Sequence, residues 1–123
     1  MHDPWQRIEP PTEGKAVTFR LKSVIQLPAG PVEIEEEGFV IRYQGKLYGW
    51  LNHCPHTGSP LDWMPGQFFS EDGRLLVCHT HHALFDPASG NCLDGPCPRG
   101  LYPLPVRDLG DQLEVPTQHG GID

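Results

Sequence analysis

No ten-residue stretch of this chain combines helical periodicity with freedom from glycine and proline, and this interruption restricts the fold more than any other feature. The 123 residues include 14 glycines and 14 prolines. Both residue types are unfavourable inside helices and common in turns. A chain interrupted this often suits short strands joined by tight turns, so the sequence predicts an all-β fold.

The segments between these turns alternate apolar and polar side chains with a period of two, which is typical of half-buried strands. Gln44-Gly45, Asp72-Gly73 and Gly110-Asp111 supply turns next to them. The predicted strands are residues 17–22, 31–35, 39–43, 46–51, 74–78, 105–107 and 112–115. No linker or repeat divides the chain, so we expect a single domain over residues 1–123, with residues 1–14 and 117–123 as loosely docked arms.

The acidic balance of the chain excludes some classes of partner. A formal net charge of -7 argues against nonspecific nucleic-acid binding and leaves no basic patch for a membrane surface. It suits docking against a basic protein, or serves only to keep the protein soluble. Neither a signal-peptide run at residues 1–7 nor a transmembrane-length stretch is present, so we expect a cytoplasmic protein.

Two short segments carry candidate metal ligands, each following a predicted strand. Cys54-Pro55-His56 supplies one thiol and one imidazole, and Cys78-His79-Thr80-His81 supplies a second pair. A rigid sheet could hold the two loops close together, so that the four groups share a metal centre. Zinc also accepts two cysteines and two histidines, but zinc fingers usually place the two cysteines in one segment and the two histidines in another. A zinc site and an iron–sulfur site therefore both remain open.

These segments, together with Gly90 and Gly95-Pro96-Cys97-Pro98, resemble the Rieske iron–sulfur domain over about residues 17–115. The resemblance implies an antiparallel β-sandwich-like base that carries a small cluster-binding subdomain at about residues 53–97. It also implies one [2Fe–2S] cluster, with two cysteines on one iron and two histidines on the other. The implied ligands are Cys54, His56, Cys78 and His81.

The chain departs from the family pattern near the second ligand loop. His82 stands where the family usually has glycine, and it could be a rival ligand, a proton relay or a solvated bystander. Ser59 and Thr80 replace the extra cysteines that form a disulfide in respiratory members of the family. Ala83 and Phe85 replace residues that donate hydroxyl hydrogen bonds to the cluster in those members. These losses predict a potential at the low end of the family range of roughly −150 to +300 mV.

Two further features allow more than one interpretation. Cys92 and Cys97 lie outside the ligand pattern, and although they could pair, we expect thiols in a reducing cytoplasm. Phe68 and Phe69 could form a partner-docking surface, but packing within the protein is the better expectation.

The resemblance implies an electron carrier of the ferredoxin type rather than an enzyme. Such a monomeric protein would take single electrons from a flavin-dependent reductase and pass them to a terminal oxygenase. A small subunit of assimilatory nitrite reductase is an alternative with the same fold and similar length. The N-terminal part of an oxygenase large subunit is disfavoured, because residues after Val115 are too few to build the required mononuclear iron domain. A zinc-bound interaction module without redox activity is the alternative of another class.

Overall fold

The computed structural model describes residues 4–53, 60–62, 64, 66–78, 82–95 and 99–119, and these residues form strands without any helix. The predicted all-β fold is confirmed. The described part of the chain accordingly has no helix suited to crossing a membrane. The strands are β1 (Trp5–Ile8), β2 (Ala16–Leu27), β3 (Gly30–Tyr43), β4 (Lys46–Leu51), β5 (Leu76–Cys78), β6 (Ala83–Phe85), β7 (Cys92–Asp94), β8 (Pro103–Leu104), β9 (Arg107–Asp108), β10 (Leu113–Pro116) and β11 (Gln118–His119).

The central sheet has the strand order β11-β2-β3-β4-β8. Residues 31–35 and 39–43, predicted as two strands, belong to the single long strand β3, which pairs with β2 along its length. The predicted turn at Gln44-Gly45 joins β3 to β4, and both residues have positive φ angles of 52° and 79°. Glycine favours this left-handed conformation, which matches the twist of a two-residue hairpin turn.

An outer sheet, β1-β10-β9, includes part of a segment that we expected to be an arm. The arm prediction is wrong for β1, which pairs with β10 in the register Trp5↔Pro116 to Ile8↔Leu113. It is also wrong for β11, which pairs with β2 in parallel. Strands of two to four residues have almost no local signal, and their partners lie far away along the chain.

The small sheet, β5-β6-β7, is antiparallel and contains Cys78 at the end of β5. Cys78 pairs with Ala83 across the β5–β6 hairpin, and a bulge lies at Leu84/Phe85, where β6 meets β7. Residues 79–82 connect the two strands of the hairpin. The predicted second ligand loop therefore begins at the end of a paired strand.

Two hydrophobic cores lie on opposite faces of the central sheet. The subdomain core is on the side of the small sheet and contains Phe39, Ile41, Trp50, Leu61, Phe68, Leu76, Cys78, Ala83, Phe85 and Leu101. The base core is on the side of the outer sheet and contains Phe19, Leu21, Val40, Leu51, Leu104, Leu113 and Val115. Since side chains alternate across a strand, Phe39 and Ile41 enter one core while Val40 enters the other.

Candidate metal centre

Cys78 is the predicted ligand that the structure describes, and it is fully buried in the subdomain core. Its position at the end of β5, paired with Ala83, is fixed by the hairpin ladder. The other predicted ligands, Cys54, His56 and His81, lie outside the described residues, as do Ser59 and Thr80. The four-ligand set therefore stays a prediction.

The first ligand loop is closed at its base by the buried side chain of Asn52. Its Oδ1 accepts a hydrogen bond from the Leu61 backbone N–H at 2.7 Å. Asn52 is the last residue but one before the predicted ligand Cys54, and Leu61 follows the loop. One amide side chain thus joins both ends of this loop.

The same amide is held in turn by two carboxylates. Its Nδ2 donates to Glu37 Oε1 at 2.7 Å and to Asp62 Oδ1 at 3.0 Å. The Asn52 backbone N–H donates to the Glu37 carbonyl at 2.8 Å, while Asp62 Oδ2 accepts from the Gly66 N–H at 3.2 Å. Hydrogen bonds to charged acceptors are stronger than neutral ones, so the amide orientation is well fixed. Sequence reasoning missed Asn52, because a lone asparagine after a strand resembles any turn residue.

His82, next to the predicted ligand His81, has an exposed side chain and a φ angle of 59°. This left-handed conformation suits glycine and costs other residues free energy. The geometry gives a physical reason for the glycine that the family usually has here. The exposed side chain supports the interpretation of His82 as a solvated bystander.

The surroundings of Cys78 are apolar and closely packed. Ala83 and Phe85 are fully buried, and neither side chain has a hydroxyl group. Gly95, with a φ of 92°, packs so tightly that an added Cβ would lie 2.8 Å from the Ala83 Cα. Any larger residue at position 95 would push the chain away from the β5–β6 hairpin.

An aromatic stack forms the other wall of the subdomain core. Phe68 is fully buried, and its ring lies 3.9 Å from that of Phe39, at an interplanar angle of 10°. Phe69 is partly buried, with its ring centroid 6.4 Å from that of Tyr43. The expectation that both phenylalanines pack within the protein is confirmed. Met64, in the same connecting segment, is half exposed.

Trp50 joins the central sheet to the turn that follows β6. Its Nε1 donates to the Pro87 carbonyl at 3.2 Å. Gly90 lies against the same indole, since an added Cβ would approach the ring to 2.6 Å. The Gly90 carbonyl accepts from the Leu101 N–H at 2.8 Å. These contacts fix the small sheet relative to β4.

The Tyr102 ring contacts His53, which lies beside the first ligand loop, and Arg99, which follows residues 96–98. Its ring lies edge-on to that of His53, with centroids 6.4 Å apart, and the Arg99 guanidinium is 5.1 Å from its centroid. His53 precedes the first ligand loop, and Arg99 follows residues 96–98. The Tyr102 carbonyl accepts from the Leu51 N–H at 2.9 Å, which fixes the ring beside β4.

The prediction that Cys92 stays a thiol is wrong, because Cys92 is disulfide-bonded in the structure. It lies in β7 opposite Phe85 and packs against the subdomain core. The sequence argument relied on the expected compartment, which does not determine whether two nearby cysteines have suitable geometry. Cys97 lies outside the described residues.

The described residues fit an iron–sulfur centre bound through loops. Among residues 4–53, 60–62, 64, 66–78, 82–95 and 99–119, no group of three or more histidine, cysteine or acidic side chains could hold a metal ion. A centre at Cys78 would take its other donors from the segments between the described residues, where the sequence has Cys54, Cys97, His56, His79 and His81. A buried thiol at the end of a strand, in an apolar and closely packed core, suits a cluster that must be shielded from water.

Comparison with solved structures identifies the same architecture. Oxygenase–ferredoxin complexes of carbazole 1,9a-dioxygenase contain a chain that matches 94% of this one, with a TM-score of 0.67 and 20% identity. The present chain spans only 29% of the length of those first matched chains. The ferredoxin of carbazole 1,9a-dioxygenase from Nocardioides aromaticivorans IC177 matches 78% of this chain and 84% of its own length, with a TM-score of 0.54 and 21% identity.

A third structure, the cyanobacterial plasma membrane Rieske protein PetC3 from Synechocystis PCC 6803, matches 75% of this chain and 82% of its own length. Its TM-score is 0.51, at 24% identity. At such identities these likenesses establish the fold. The family model of the Rieske [2Fe-2S] domain matches residues 18–109, which is most of the chain. The chain therefore belongs to the Rieske [2Fe–2S] domain family, and its cofactor is a [2Fe–2S] cluster.

Proposed function

We propose that the protein is a Rieske ferredoxin, an electron carrier without catalytic activity of its own. The observation that supports this proposal most directly is the family match over residues 18–109, which covers most of β2 and all of β3 to β9. The matched residues include the whole small sheet and most of the central sheet apart from β11, which together surround the predicted ligand Cys78. When bound, the cluster accepts and releases one electron at a time.

Some residues of the chain would bind the cluster, and others hold the ligand loops in place. Cys78 would bind one iron from the buried side together with Cys54, while His56 and His81 would bind the other iron. Neutral imidazoles leave a cluster less anionic than four thiolates would, which makes reduction easier. Asn52 closes the first ligand loop, and the β5–β6 hairpin fixes the start of the second.

Imidazole ligands raise the reduction potential, and the absence of hydroxyl donors near the cluster limits this increase. Ala83 and Phe85 are buried without a hydroxyl, so they cannot stabilise the extra negative charge of a reduced cluster by hydrogen bonding. We infer a potential near the low end of the family range, roughly −150 mV. A voltammetric midpoint well above zero at neutral pH would contradict this inference.

The partners that we propose are a flavin-dependent reductase and a terminal oxygenase. Support comes from the carbazole 1,9a-dioxygenase structures, in which an oxygenase and a ferredoxin form a complex. The net charge of -7 favours basic docking surfaces on such partners. We further propose a cytoplasmic monomer that binds neither nucleic acid nor membranes.

Spectroscopy followed by turnover tests this function. The purified holoprotein should be red-brown, contain two irons and two sulfides, and give the reduced-state EPR signal of mixed cysteine and histidine ligation. A reductase and an oxygenase that do not turn over together should do so when the protein is added. Cys78→Ser is the control, because it should lose the cluster and the activity together. A colourless zinc protein would refute the proposal, and electron delivery to a nitrite reductase alone would favour the nitrite-reductase subunit.

A second candidate is a Rieske domain within a longer oxygenase polypeptide. The observation that favours it is the 94% coverage at a TM-score of 0.67 on chains of which this sequence spans 29%. An antibody against the domain separates the two candidates on a blot of the native cells. A band of the size of 123 residues supports the ferredoxin, and a band several times larger supports the oxygenase.

A further inference from the structure

The hairpin of β2 and β3 extends beyond its neighbour β4 in the central sheet. The last pair between β3 and β4 is Gly38↔Leu51, whereas β3 stays paired with β2 from residue 37 down to residue 30. Among the strands that the structure describes, none pairs with residues 31–36 of β3 on the side where β4 lies farther along. We call residues 20–27 and 30–37 the distal hairpin. Its β3 edge is open.

The backbone groups of Glu33 and Glu35 point towards this open edge. The Glu37 carbonyl accepts a hydrogen bond from the N–H of Asn52, which follows β4, so the backbone groups of Glu37 face the β4 side. Backbone groups alternate between the two sides of a strand, so Glu33 and Glu35 face the same side as Glu37. Lys22, the partner of Glu35 in the register, donates its N–H to the segment before β11 and not to β3, which agrees.

One face of the distal hairpin is charged. The side chains of Glu33 and Glu35 share this face with Arg20 and Lys22, because residues opposite each other in the register lie on the same side of a sheet. Arg20 is 3.1 Å from Glu35, and Lys22 is 3.9 Å from Glu33. All four side chains are more than half exposed. Ion pairs this exposed contribute little to stability, so both carboxylates can also interact with a further cation.

The opposite face of the distal hairpin is apolar and partly open to solvent. Leu27 and Val32 lie on this face and are exposed to 47% and 41%. Ile34, between the two outward-facing glutamates, is on the same face and is partly buried. A strand added beside β3 would therefore meet apolar side chains on one face and carboxylates on the other.

These features select an extended segment in which basic and apolar residues alternate. In an added strand, the residues opposite Glu33 and Glu35 lie on the charged face, and the residue opposite Ile34 lies on the apolar face. A second copy of the chain fits less well. Symmetric antiparallel pairing about Ile34 would place Glu33 of each copy opposite Glu35 of the other, and like charges directly opposite are destabilising. The glutamates therefore oppose self-association through this edge and favour a basic partner.

We propose that the open β3 edge of the distal hairpin is a docking site for an extended basic segment of a partner protein. The segment adds to the central sheet as a further strand beside residues 31–36. Backbone hydrogen bonds with Glu33 and Glu35 supply affinity, and the alternation of side chains supplies selectivity. The site adjoins the first ligand loop, since Glu37 also bonds to Asn52. Docking needs no electron transfer, so failure of the proposed carrier function would leave this inference unaffected.

Titration of the holoprotein with short peptides, followed by NMR, tests the site. The probe is an acetylated, amidated peptide in which lysine and valine alternate, and the control peptide has the same composition with its lysines in one block. We expect the alternating peptide to shift the amide resonances of Glu33 and Glu35, to slow their hydrogen exchange, and to bind about tenfold more tightly than the control. Equal binding of the two peptides, or shifts confined to residues outside the distal hairpin, would overturn the proposal.

Charge-neutral variants test the contribution of the two glutamates. Glu33→Gln combined with Glu35→Gln keeps the backbone edge and should weaken binding of the alternating peptide about fivefold. Glu9→Gln combined with Asp111→Asn removes the same charge at exposed positions outside the distal hairpin and should bind as the wild type does. Equal weakening by both pairs would show attraction by net charge alone and overturn the proposal. A dimer that protects the Glu33 and Glu35 amides without peptide would assign the edge to a second copy and overturn it too.

Discussion

Replacing Asn52 by alanine should weaken the fold and the cluster site together. The change removes the acceptor of the Leu61 N–H and the donor to Glu37 and Asp62. The hydrogen bond to Leu61 is buried, so its N–H would be left without a partner, which costs about 1–3 kcal/mol. The two carboxylates are only partly buried and can return to water, so each lost bond adds about 0.5–1.5 kcal/mol.

The expected loss is about 3 kcal/mol, because adjacent hydrogen bonds are not fully additive. For a domain of this size, such a loss corresponds to a fall in Tm of roughly 10 °C. The loop that begins with Cys54 would also lose the tie between its two ends. We therefore expect the holoprotein to lose its visible absorbance faster than the wild type does at a temperature where both are folded.

Two further variants distinguish the loss of the Asn52 hydrogen bonds from a general effect of substitution. Asn52→Asp keeps an acceptor for the Leu61 N–H but places a third carboxylate beside Glu37 and Asp62. Repulsion between like charges should make it at least as unstable as the alanine variant. Asn91→Ala, at an exposed turn position, should change the stability by less than about 0.5 kcal/mol. If Asn52→Ala melted within about 2 °C of the wild type and kept its cluster equally long, the reasoning would be refuted.

Three other predictions concern single positions. Ala83→Ser supplies one of the missing hydroxyl groups and should raise the midpoint potential by about 40 mV, the equivalent of a hydrogen bond of about 1 kcal/mol; voltammetry that finds no shift with an intact cluster would contradict this. His82→Gly removes a side chain from a left-handed position and should stabilise the protein by about 0.5–1 kcal/mol in thermal unfolding. The control Gln44→Gly should have the same effect, because Gln44 has a φ of 52° and lies far from the site along the chain. The Ser70 hydroxyl donates to Asp72 at 2.6 Å, and this bond, with that from the Arg74 N–H, lowers the pKa of Asp72. Ser70→Ala should move the pKa of Asp72 back up towards its ordinary value in an NMR titration, and an unchanged pKa would show that the hydroxyl is not its cause.

The sequence predicted those parts of the fold that depend on local chemistry. The period of two and the turn at Gln44-Gly45 identified β2, β3 and β4, whose pairing follows directly from the hairpins. The pattern gave no sign of β1 and β11, because such short strands are stabilised by partners that are distant in sequence. Their assignment requires knowledge of the assembled sheets.

The residues of the site also fall into those that the sequence predicts and those that only the assembled fold reveals. The spacing of cysteines and histidines after predicted strands singled out Cys78, and the structure places this residue at the buried end of β5, while its role as a ligand stays a prediction. Asn52 was not, since its importance comes from Leu61, Glu37 and Asp62, which the fold brings to it. The bonded state of Cys92 likewise depends on geometry that composition does not encode.

The position of β3 between the two cores determines where the chain can gain or lose residues. An insertion of one residue directly after Phe39 would reverse the faces of the residues that follow it, so that Val40 would face the small sheet while Ile41 would face the outer one. Both cores would then be mispacked by a single event, including the one that surrounds Cys78. At Pro28-Ala29, in the exposed turn between β2 and β3, a change of length alters neither face. Variation in length during the evolution of this chain should therefore accumulate at that turn and be absent from residues 39–43.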